Sequence, residues 1–285
     1  MKVLPFKIPK PKQSTLVFQE NLELIFYDKL HQHEEIQVSL ILEGEGTLVV
    51  GNTINNYEKG DVFILSGNLP HVFKSELKVN TKSHMLSLFF TKNAFGIDFF
   101  NLEEMKGLKP FFKKAENGSK ISSSNSRLIT LFKQLKYNTK FNQFILLLEI
   151  LKILAKTNHQ NLSSYIYKKE YTDTEGKRMR DIMEFTMNNY QQHISLDTIA
   201  SIANMTKNAF CKYFKKRTNK TYFTFLNKLR IGYACKLLNK NRDLSITEIA
   251  LLSGFNNISN FNRKFKLLKK NSPLQYKRTH LMQLF

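Results

Sequence analysis

The sequence predicts a multidomain protein of mixed α and β class. We expect an N-terminal β-barrel followed by helices, and a C-terminal all-α domain in which a long helix joins two helix–turn–helix units. The chain has 285 residues, more than one domain usually holds. Short apolar runs separated by turn residues precede residue 90, and a helical pattern near the end of the chain repeats at an offset of about 50 residues.

Composition argues against several classes of protein. A hydrophobic fraction of 42% argues against a disordered chain, and two cysteines are too few for a disulfide framework. The longest apolar stretch, residues 144–154, contains Glu149 and Lys152 and is too short to span a bilayer. Prolines and polar residues break residues 1–19, so no secretory signal is expected. We therefore expect a cytoplasmic protein with no membrane partner.

The positive charge of the chain is concentrated in its last third. The formal net charge is +21. Residues 178–285 hold 20 Lys and Arg against 5 Asp and Glu, a net charge of +15, whereas residues 1–177 carry only +6. A generally Lys-rich surface does not explain this asymmetry, which predicts a C-terminal domain that binds a polyanion.

The N-terminal region is expected to consist of short strands. The clearest of them are residues 36–42, 47–50, 61–65 and 84–90. Turns that contain glycine separate them at Gly44, Gly46, Gly51, Gly60 and Gly67. Strands of this length and spacing are typical of a sandwich or a small barrel.

A helical pattern follows between residues 127 and 157. In residues 141–156 the polar side chains form one narrow stripe, consisting of Asn142, Glu149, Lys152 and Lys156. So wide an apolar surface must contact more than one neighbour. Packing on the barrel and a subunit interface are both open interpretations.

The repeat in the C-terminal region consists of a short helix, a tight turn and a longer basic helix. In the second copy Ser245 and Glu248 form a capping box, and Gly254 supplies the turn. In the first copy Ser195 caps the short helix, and Asn204 replaces the glycine because Asn also tolerates a left-handed turn. This order of elements is the helix–turn–helix pattern.

Each longer helix carries two distinct faces. Thr206 is expected to cap the first of these helices, and Asn256 or Asn257 the second. Pairs of phenylalanines four residues apart face the core, at Phe210 and Phe214 and at Phe261 and Phe265. A separate face repeats with i, i+3, i+4, i+7 spacing at Asn208, Cys211, Lys212 and Lys215, and at Ser259, Asn262, Arg263 and Lys266. Such side chains suit base edges and phosphates. A helix over residues 221–239 would hold the two units about one DNA turn apart, roughly 34 Å.

Residues 178–280 resemble the DNA-binding domain of AraC/XylS-type bacterial transcription regulators. The motifs that carry the resemblance are Leu196…Ala200, Phe214-Lys215-Lys216, Leu229-Arg230-Ile231…Ala234…Leu237-Leu238, Ser245-Ile246-x-Glu248-Ile249-Ala250…Gly254-Phe255, Ser259-x-Phe261-x-Arg263-x-Phe265-Lys266 and Ser272-Pro273-x-x-Tyr276-x-Arg278. Asn219 and Lys270 depart from it, because the family usually has glycine after each recognition helix. Asn260 also departs, since an aromatic residue is common there.

The resemblance implies double-stranded DNA as the partner, and RNA polymerase as a further partner that the family pattern allows. The implied recognition helices are residues 206–217 and 257–269. The implied base-reading residues are Asn208, Cys211, Lys212, Ser259, Asn262 and Arg263. The implied phosphate contacts are Thr206, Lys207, Lys215, Lys216, Lys264 and Lys266.

The N-terminal third is similar to the cupin-like sensor domain of many such regulators, through His31-x-His33, Glu43-Gly44-Glu45-Gly46, Gly60-Asp61 and Pro70-His71. This resemblance implies a small-molecule effector at the barrel mouth, near His31, His33, Gln37, His71 and Phe73. The expected organisation is a sensor domain at 1–117, a helical dimerisation segment of a homodimer at 118–160, a linker at 161–177 and the DNA-binding domain at 178–285.

The same histidines raise the question of a metal or an enzyme. His31, His33, Gln37 and His71 line up with the two cupin metal motifs, but the carboxylate expected near Gln37 is absent. No metal, no cofactor and no catalytic residue is therefore expected, and the leading interpretation is a ligand-responsive, sequence-specific regulator. One alternative is a cupin-type metal-binding protein or enzyme with an appended DNA-binding module. The other is a nucleoid-type binder that ignores DNA sequence.

Overall fold

The structure, a computed structural model, describes residues 5–8, 15–77, 81–122, 126–163, 172–240 and 243–282. The chain divides into two compact units, Met1–Lys177 and Arg178–Phe285. Among the helices within those ranges, none is both long and apolar enough to cross a membrane.

The first unit contains two antiparallel sheets. Its strands are β1 (Leu16–Glu23), β2 (Ile36–Glu43), β3 (Gly46–Val50), β4 (Thr53–Tyr57), β5 (Asp61–Leu65), β6 (His71–Ser75), β7 (Ser83–Phe90), β8 (Ser119–Ser122) and β9 (Gln160–Asn161). The larger sheet has the order β1-β7-β2-β5-β8-β9, and the smaller has the order β4-β3-β6. The expected β-rich N-terminal domain is confirmed, and all four strands predicted most clearly are present.

Strand β5 explains why the larger sheet is apolar on both faces. Side chains alternate along a strand, so Phe63 and Leu65 join the core that includes residues of the smaller sheet. Val62 and Ile64 point the other way, into a second core shared with the helices. All five residues of β5 are consequently buried, as in a sheet that is covered on both sides.

Three helices cover the outer face of the larger sheet: α1 (Lys109–Glu116), α2 (Ser126–Gln134) and α3 (Lys140–Lys156). Leu147, Ile150, Leu151 and Leu154 of α3 are fully buried in this core. Packing of α3 on the β-domain, one of the two open interpretations, is therefore observed. Phe141 and Ile145 of the same helix stay exposed, at 72% and 42%.

The segment 118–160, expected to be a Ser-rich loop up to residue 126 and helical from residue 127, also contains strands. It contributes β8 and β9, and β8 pairs with β5 from Asp61 to Ile64. The Ser-rich sequence of β8 has little strand propensity of its own, so pairing with the free edge of β5 decides its conformation. Most of the expected linker, residues 164–171, lies outside the described residues. Its last five residues, 173–177, form the first part of a helix, α4 (Asp173–Asn189).

Every secondary-structure element within the described residues of the second unit is a helix. After α4 come α5 (Leu196–Ile202), α6 (Lys207–Thr218), α7 (Tyr222–Lys240), α8 (Ile246–Leu252), α9 (Ile258–Lys269) and α10 (Pro273–Met282). The pairs α5–α6 and α8–α9 are the two predicted helix–turn–helix units, and α7 is the predicted long helix between them. The two recognition helices lie within one residue of their expected bounds.

The helix caps are the ones that the sequence predicts. Ser195 and Thr206 accept backbone hydrogen bonds at the starts of α5 and α6, and Ser245 and Glu248 form the full capping box of α8. Of the two asparagines considered for α9, Asn257 is the cap, since its Oδ1 accepts from the Asn260 amide at 2.9 Å.

The two departures from the family pattern keep the left-handed turn that glycine usually provides. Asn219 has φ 54° and Lys270 has φ 65°. Both N–H groups donate to the carbonyl four residues earlier, so the turns close each recognition helix in the same way. Lys270 adopts this conformation against the steric preference of its Cβ.

Candidate DNA-binding surface and effector cavity

The buried face of helix α6 packs through aromatic side chains. Phe210 and Phe214 are fully buried, and their ring centroids lie 5.5 Å from that of Tyr222. Because these residues occupy one face of the helix, the residues between them point outward. The predicted base-reading and phosphate residues of this helix are all exposed: Asn208, Cys211, Lys212, Lys207, Lys215 and Lys216.

Helix α9 has the same construction. Phe261 and Phe265 are fully buried, against Phe255 at 5.3 Å and Tyr276 at 5.5 Å respectively. Ser259, Asn262, Arg263 and Lys266 are exposed on the opposite side, and Lys264 is half-buried. The last three of the exposed residues border a hollow of about 460 Å³ with Ile246, Ser272, Pro273 and Leu274.

Several of these side chains have partners within the unit. Arg263 Nη2 donates to Asn260 Oδ1 at 3.0 Å, so the guanidinium is partly oriented without DNA. Lys207 pairs with Asp197 at 2.8 Å, and Thr206 is occupied as the cap of α6. All twelve predicted residues therefore lie on or beside the two recognition helices, and Arg263, Lys207 and Thr206 among them have hydrogen-bond or ion-pair partners within the domain.

Arg230 of α7 links the two helix–turn–helix units. Its Nε donates to Tyr190 O and its Nη2 to Gln192 O, each at 2.7 Å, just before α5 begins. Its guanidinium carbon also lies 5.7 Å from the ring centroid of Phe255, in the turn between α8 and α9. The Arg230 side chain therefore contacts both the segment that precedes the first helix–turn–helix unit and the turn of the second helix–turn–helix unit. Its motif carried the family resemblance, but its bridging role was not predicted.

Electrostatics in the second unit favour polyanions at neutral pH. Burial and the nearby Lys228 ammonium lower the pKa of Lys220, just after α6, to about 8. This lysine is consequently still mostly protonated at pH 7. The net charge of +15 is thus present on the unit that carries the recognition helices.

The first unit contains a cavity of about 320 Å³ that is lined by strands of both sheets. All five residues expected at an effector pocket line it: His31, His33, Gln37, His71 and Phe73. Further lining residues are Ile8, Gln19, Asn21, Glu23, Phe26, Tyr27, Met85 and Phe89. Gln19, Asn21 and Glu23 were not predicted, although their period-two spacing along β1 is a signal that could have found them.

The three histidines of the cavity are close neighbours. His31 and His71 form an antiparallel backbone bridge, with N–O distances of 3.1 and 2.9 Å, and their ring centroids are 4.4 Å apart. The ring of His33 lies 5.0 Å from that of His71. One ligand nitrogen from each of the three falls within 4.8 Å of the others.

A chain of polar side chains leads from His33 into the sheet. The Gln37 amide lies 3.0 Å from His33 Nε2 and 2.8 Å from the Ser39 hydroxyl. Ser39 in turn lies 2.7 Å from the Ser87 hydroxyl. All four side chains are buried, so this wall of the cavity is polar and preorganised.

Comparison with known proteins agrees with both surfaces. A model of a helix-turn-helix domain matches residues 199–279, and a model of an AraC-like ligand binding domain matches residues 18–88. The Transposon Tn10 TetD protein of Escherichia coli is 31% identical over 130 residues, which cover 45% of this chain and 93% of TetD. An uncharacterized HTH-type transcriptional regulator of Bacillus subtilis, YdeC, is 24% identical over 262 residues, covering 88% and 87% of the two chains. The solved DNA-binding domain of AdpA in complex with a target DNA is 22% identical over 36% of this chain and 91% of its own, with a TM-score of 0.34.

The fold and its two surfaces therefore define a transcription regulator that joins a ligand-binding domain to a DNA-binding helix–turn–helix domain. The chain belongs to the AraC/XylS family of such regulators.

Proposed function

We propose that this regulator recognises discrete operators by placing α6 and α9 in successive major grooves of double-stranded DNA. Asn208, Cys211, Lys212, Ser259, Asn262 and Arg263 would face base edges. Thr206, Lys207, Lys215, Lys216, Lys264 and Lys266 would contact phosphates. The observation that supports this most is the duplicated arrangement of a buried phenylalanine pair with an exposed polar face opposite.

The side chains differ in what they can read. An arginine matches the two acceptors of guanine, and an asparagine matches adenine, so Arg263 and Asn262 are the strongest candidates for sequence readout. Cys211 has no such match, and its small side chain suits van der Waals contact with a base.

Footprinting tests the proposal against the nucleoid-type alternative. The purified full chain is bound to genomic DNA fragments in the presence of excess bulk DNA. Discrete protected sites are expected, with affinity that falls steeply as salt rises because lysine–phosphate contacts release counterions. Uniform coverage without protected sites would contradict sequence-specific regulation.

We infer that the cavity of the first unit binds a small-molecule effector. Its volume, aromatic walls and polar lining groups are the usual features of a ligand site. Phe73→Trp should fill part of the cavity and abolish the response of DNA binding to an effector found by thermal-shift screening, while unliganded DNA binding persists. An unchanged response would place the effector elsewhere.

We further propose a homodimer formed through α3. Phe141 and Ile145 are exposed at one-turn spacing on a helix whose other side is already covered by the β-domain. Phe141→Asp in the full chain should shift sedimentation from dimer to monomer, whereas Lys82→Asp, at an exposed position just before β7 and outside α3, serves as a charge control. A monomeric wild-type protein at micromolar concentration would refute this interface.

The remaining expectations concern the setting in which the protein acts. As a transcription regulator it would work in the cytoplasm without catalysing a reaction, and would contact RNA polymerase if it activates. Bacterial two-hybrid pairing with polymerase subunits, with and without the operator, tests that contact.

A further inference from the structure

We propose that the effector of the first unit is a small organic cation, which joins an ammonium group to an apolar body and carries a hydrogen-bond donor at its far end. The proposal rests on the effector role of the cavity proposed above and adds the chemical class of the ligand. Its support comes from the charge of the cavity lining, the direction of the hydrogen bonds there and the shape of the cavity.

The charge of the lining disfavours an anion. Among the described residues that line the cavity there is no lysine or arginine, and the one acidic residue is Glu23. Residues 1–177 carry a net charge of +6 as a whole, so the cavity lacks the cations that are in excess elsewhere in this unit. A carboxylate or phosphate group would lose its hydration in the cavity without gaining an opposite charge, whereas an ammonium group can pair with Glu23.

The histidines of the cavity favour a ligand that donates hydrogen bonds. Nδ1 of each ring lies 2.8–2.9 Å from a backbone carbonyl oxygen, with His31 against Lys29, His33 against Glu35 and His71 against Leu69. A carbonyl oxygen only accepts, so Nδ1 carries the hydrogen, and in a neutral ring Nε2 then holds the lone pair. Nε2 of His33 faces the Gln37 amide, so the acceptors offered to a ligand are His31 and His71.

The amide groups of the lining direct donors into the protein. Gln19 Nε2 donates to Asn21 Oδ1 at 3.0 Å, and Gln37 Nε2 donates to Ser39 Oγ at 2.8 Å. The ionised carboxylate of Glu23 accepts only. The N–H and O–H groups of a ligand therefore find their complement in this carboxylate and in the two imidazoles.

The cavity extends along β7, and acceptors lie toward both of its ends. At one end Phe89 of β7 pairs with Gln37 of β2, beside the histidines. Further along, Met85 pairs with Asn21 of β1, and Glu23 lies two residues beyond Asn21. The four residues from Phe89 to Met85 span about 13 Å of strand. A ligand that contacts both the histidines and Glu23 must therefore be elongated, with a polar group at each end.

Aromatic rings form the apolar part of the lining. Phe26 and Phe73 are 2% and 3% exposed, and their ring centroids lie 6.1 Å apart at an interplanar angle of 84°. Such rings cover the apolar body of a ligand and also attract cations to their faces. A neutral hydroxyl in place of the ammonium group would gain neither this attraction nor the ion pair with Glu23.

The test titrates the purified full chain with three compounds of matched shape in a calorimeter. The first, para-(aminomethyl)benzyl alcohol, carries the ammonium group. In benzene-para-dimethanol a hydroxyl replaces that group, and in para-(hydroxymethyl)benzoate a carboxylate replaces it. We expect the amine to bind at about one site per chain, the diol at least about tenfold more weakly, and the carboxylate not detectably.

Glu23→Gln separates the ion pair from the remainder of the site. It should weaken binding of the amine by about tenfold and leave binding of the diol unchanged, because only the amine pairs with the carboxylate. Glu23 is exposed at the end of β1, so the variant should fold, which circular dichroism checks. The matched control is Glu20→Gln on the same strand, because Glu20 pairs with His84 and Lys136 and does not line the cavity. It should leave both affinities unchanged.

Binding of the diol or the carboxylate as tightly as the amine would overturn the proposal. So would an absence of amine binding, or an unchanged amine affinity in folded Glu23→Gln. The effector role is judged separately by Phe73→Trp. If this variant abolishes the response to a neutral or anionic effector, the cavity is an effector site and only the proposed class is wrong. If no effector response depends on Phe73, the proposed role of the cavity fails as well.

Discussion

The two helix–turn–helix units differ in the residue that forms the turn between their helices. The turn between α5 and α6 contains Asn204, whereas the turn between α8 and α9 contains Gly254. Asn204 is exposed and adopts φ 51°. Gly254 is buried at φ 87°, and a Cβ atom there would lie 2.6 Å from Tyr190 O and 2.9 Å from Arg230 Nε. The same backbone turn is therefore locally determined in one unit and dependent on distant chain segments in the other.

The outward faces differ in a parallel way. In α6 the readout face carries two lysines and a cysteine beside Asn208, whereas α9 presents Arg263 and Asn262 with Ser259 and a single lysine, Lys266. Lysine is a compact charge suited to phosphates, and arginine and asparagine match base edges in two-point contacts. From this comparison we infer that the first helix–turn–helix unit supplies mainly affinity for DNA and the second mainly sequence specificity.

The largest effect is expected from substitution at the buried turn. Gly254→Ala should lower the free energy of unfolding of the C-terminal compact unit, residues 178–285, by about 2–4 kcal/mol. The added Cβ would clash with a carbonyl oxygen, and alanine disfavours the left-handed backbone conformation at this position. Asn204→Gly should change the free energy of unfolding by less than about 0.5 kcal/mol, as at an ordinary surface position. Chemical denaturation of both variants measures the contrast, and equal losses would remove the asymmetry between the turns.

Removal of the Arg230 side chain, which links the two helix–turn–helix units, should have the next largest effect. Arg230→Met leaves the carbonyls of Tyr190 and Gln192 without their charged donor, at a cost of about 1.5–3 kcal/mol. The variant should also lose its preference for one spacing between the two halves of the operator. Arg230→Lys keeps the charge but cannot reach both carbonyls, so it serves as the matched comparison. Binding to DNA with altered spacing detects the loss, and unchanged spacing preference would contradict the role.

Measurements of operator binding distinguish the roles of the two recognition helices. Arg263→Ala should weaken binding by about 1–3 kcal/mol and relax specificity at one base pair. Lys215→Ala on α6, a proposed phosphate contact, should weaken binding to all sequences alike and reduce the salt slope by about one unit. Competition binding with single-base operator variants distinguishes the two. If Arg263→Ala weakens binding to random DNA equally, then Arg263 contacts only phosphate.

The smallest effect concerns the caps of the short helices. Ser245→Ala should destabilise α8 by about 1 kcal/mol, as other cap deletions do. Hydrogen bonds from Ser245 lower the pKa of Glu248, so this carboxylate stabilises the folded unit above its ordinary pKa of 4.5. That contribution is lost as the pH falls through the lowered folded-state pKa. Ser195→Ala should lack this pH dependence, since Thr198 occupies the equivalent of Glu248; melting curves between pH 3 and 7 test the difference.

The predictions that succeeded rest on local chemistry. Ser245 with Glu248, Thr206 and the phenylalanine pairs each act within one helical turn of themselves, and the structure contains each of them as expected. Strands β8 and β9 were missed because their pairing is non-local: β8 pairs with β5, more than 50 residues earlier in the chain, and β9 pairs with β8, at least 40 residues earlier. Likewise the polar residues of β1 reach the cavity only after β1 pairs with β7.

The sequence by itself determined the two helix–turn–helix units, the β-rich first unit, the concentration of charge and the residues on each recognition helix. Those features follow from periodicity, capping and composition, which need no distant contacts. Only the tertiary structure decided how Arg230 connects the two units, and that His31, His33 and His71 turn the same ring nitrogen to backbone carbonyls. Such arrangements depend on backbone pairing between segments far apart in sequence, as between His31 and His71, and no local pattern encodes that pairing.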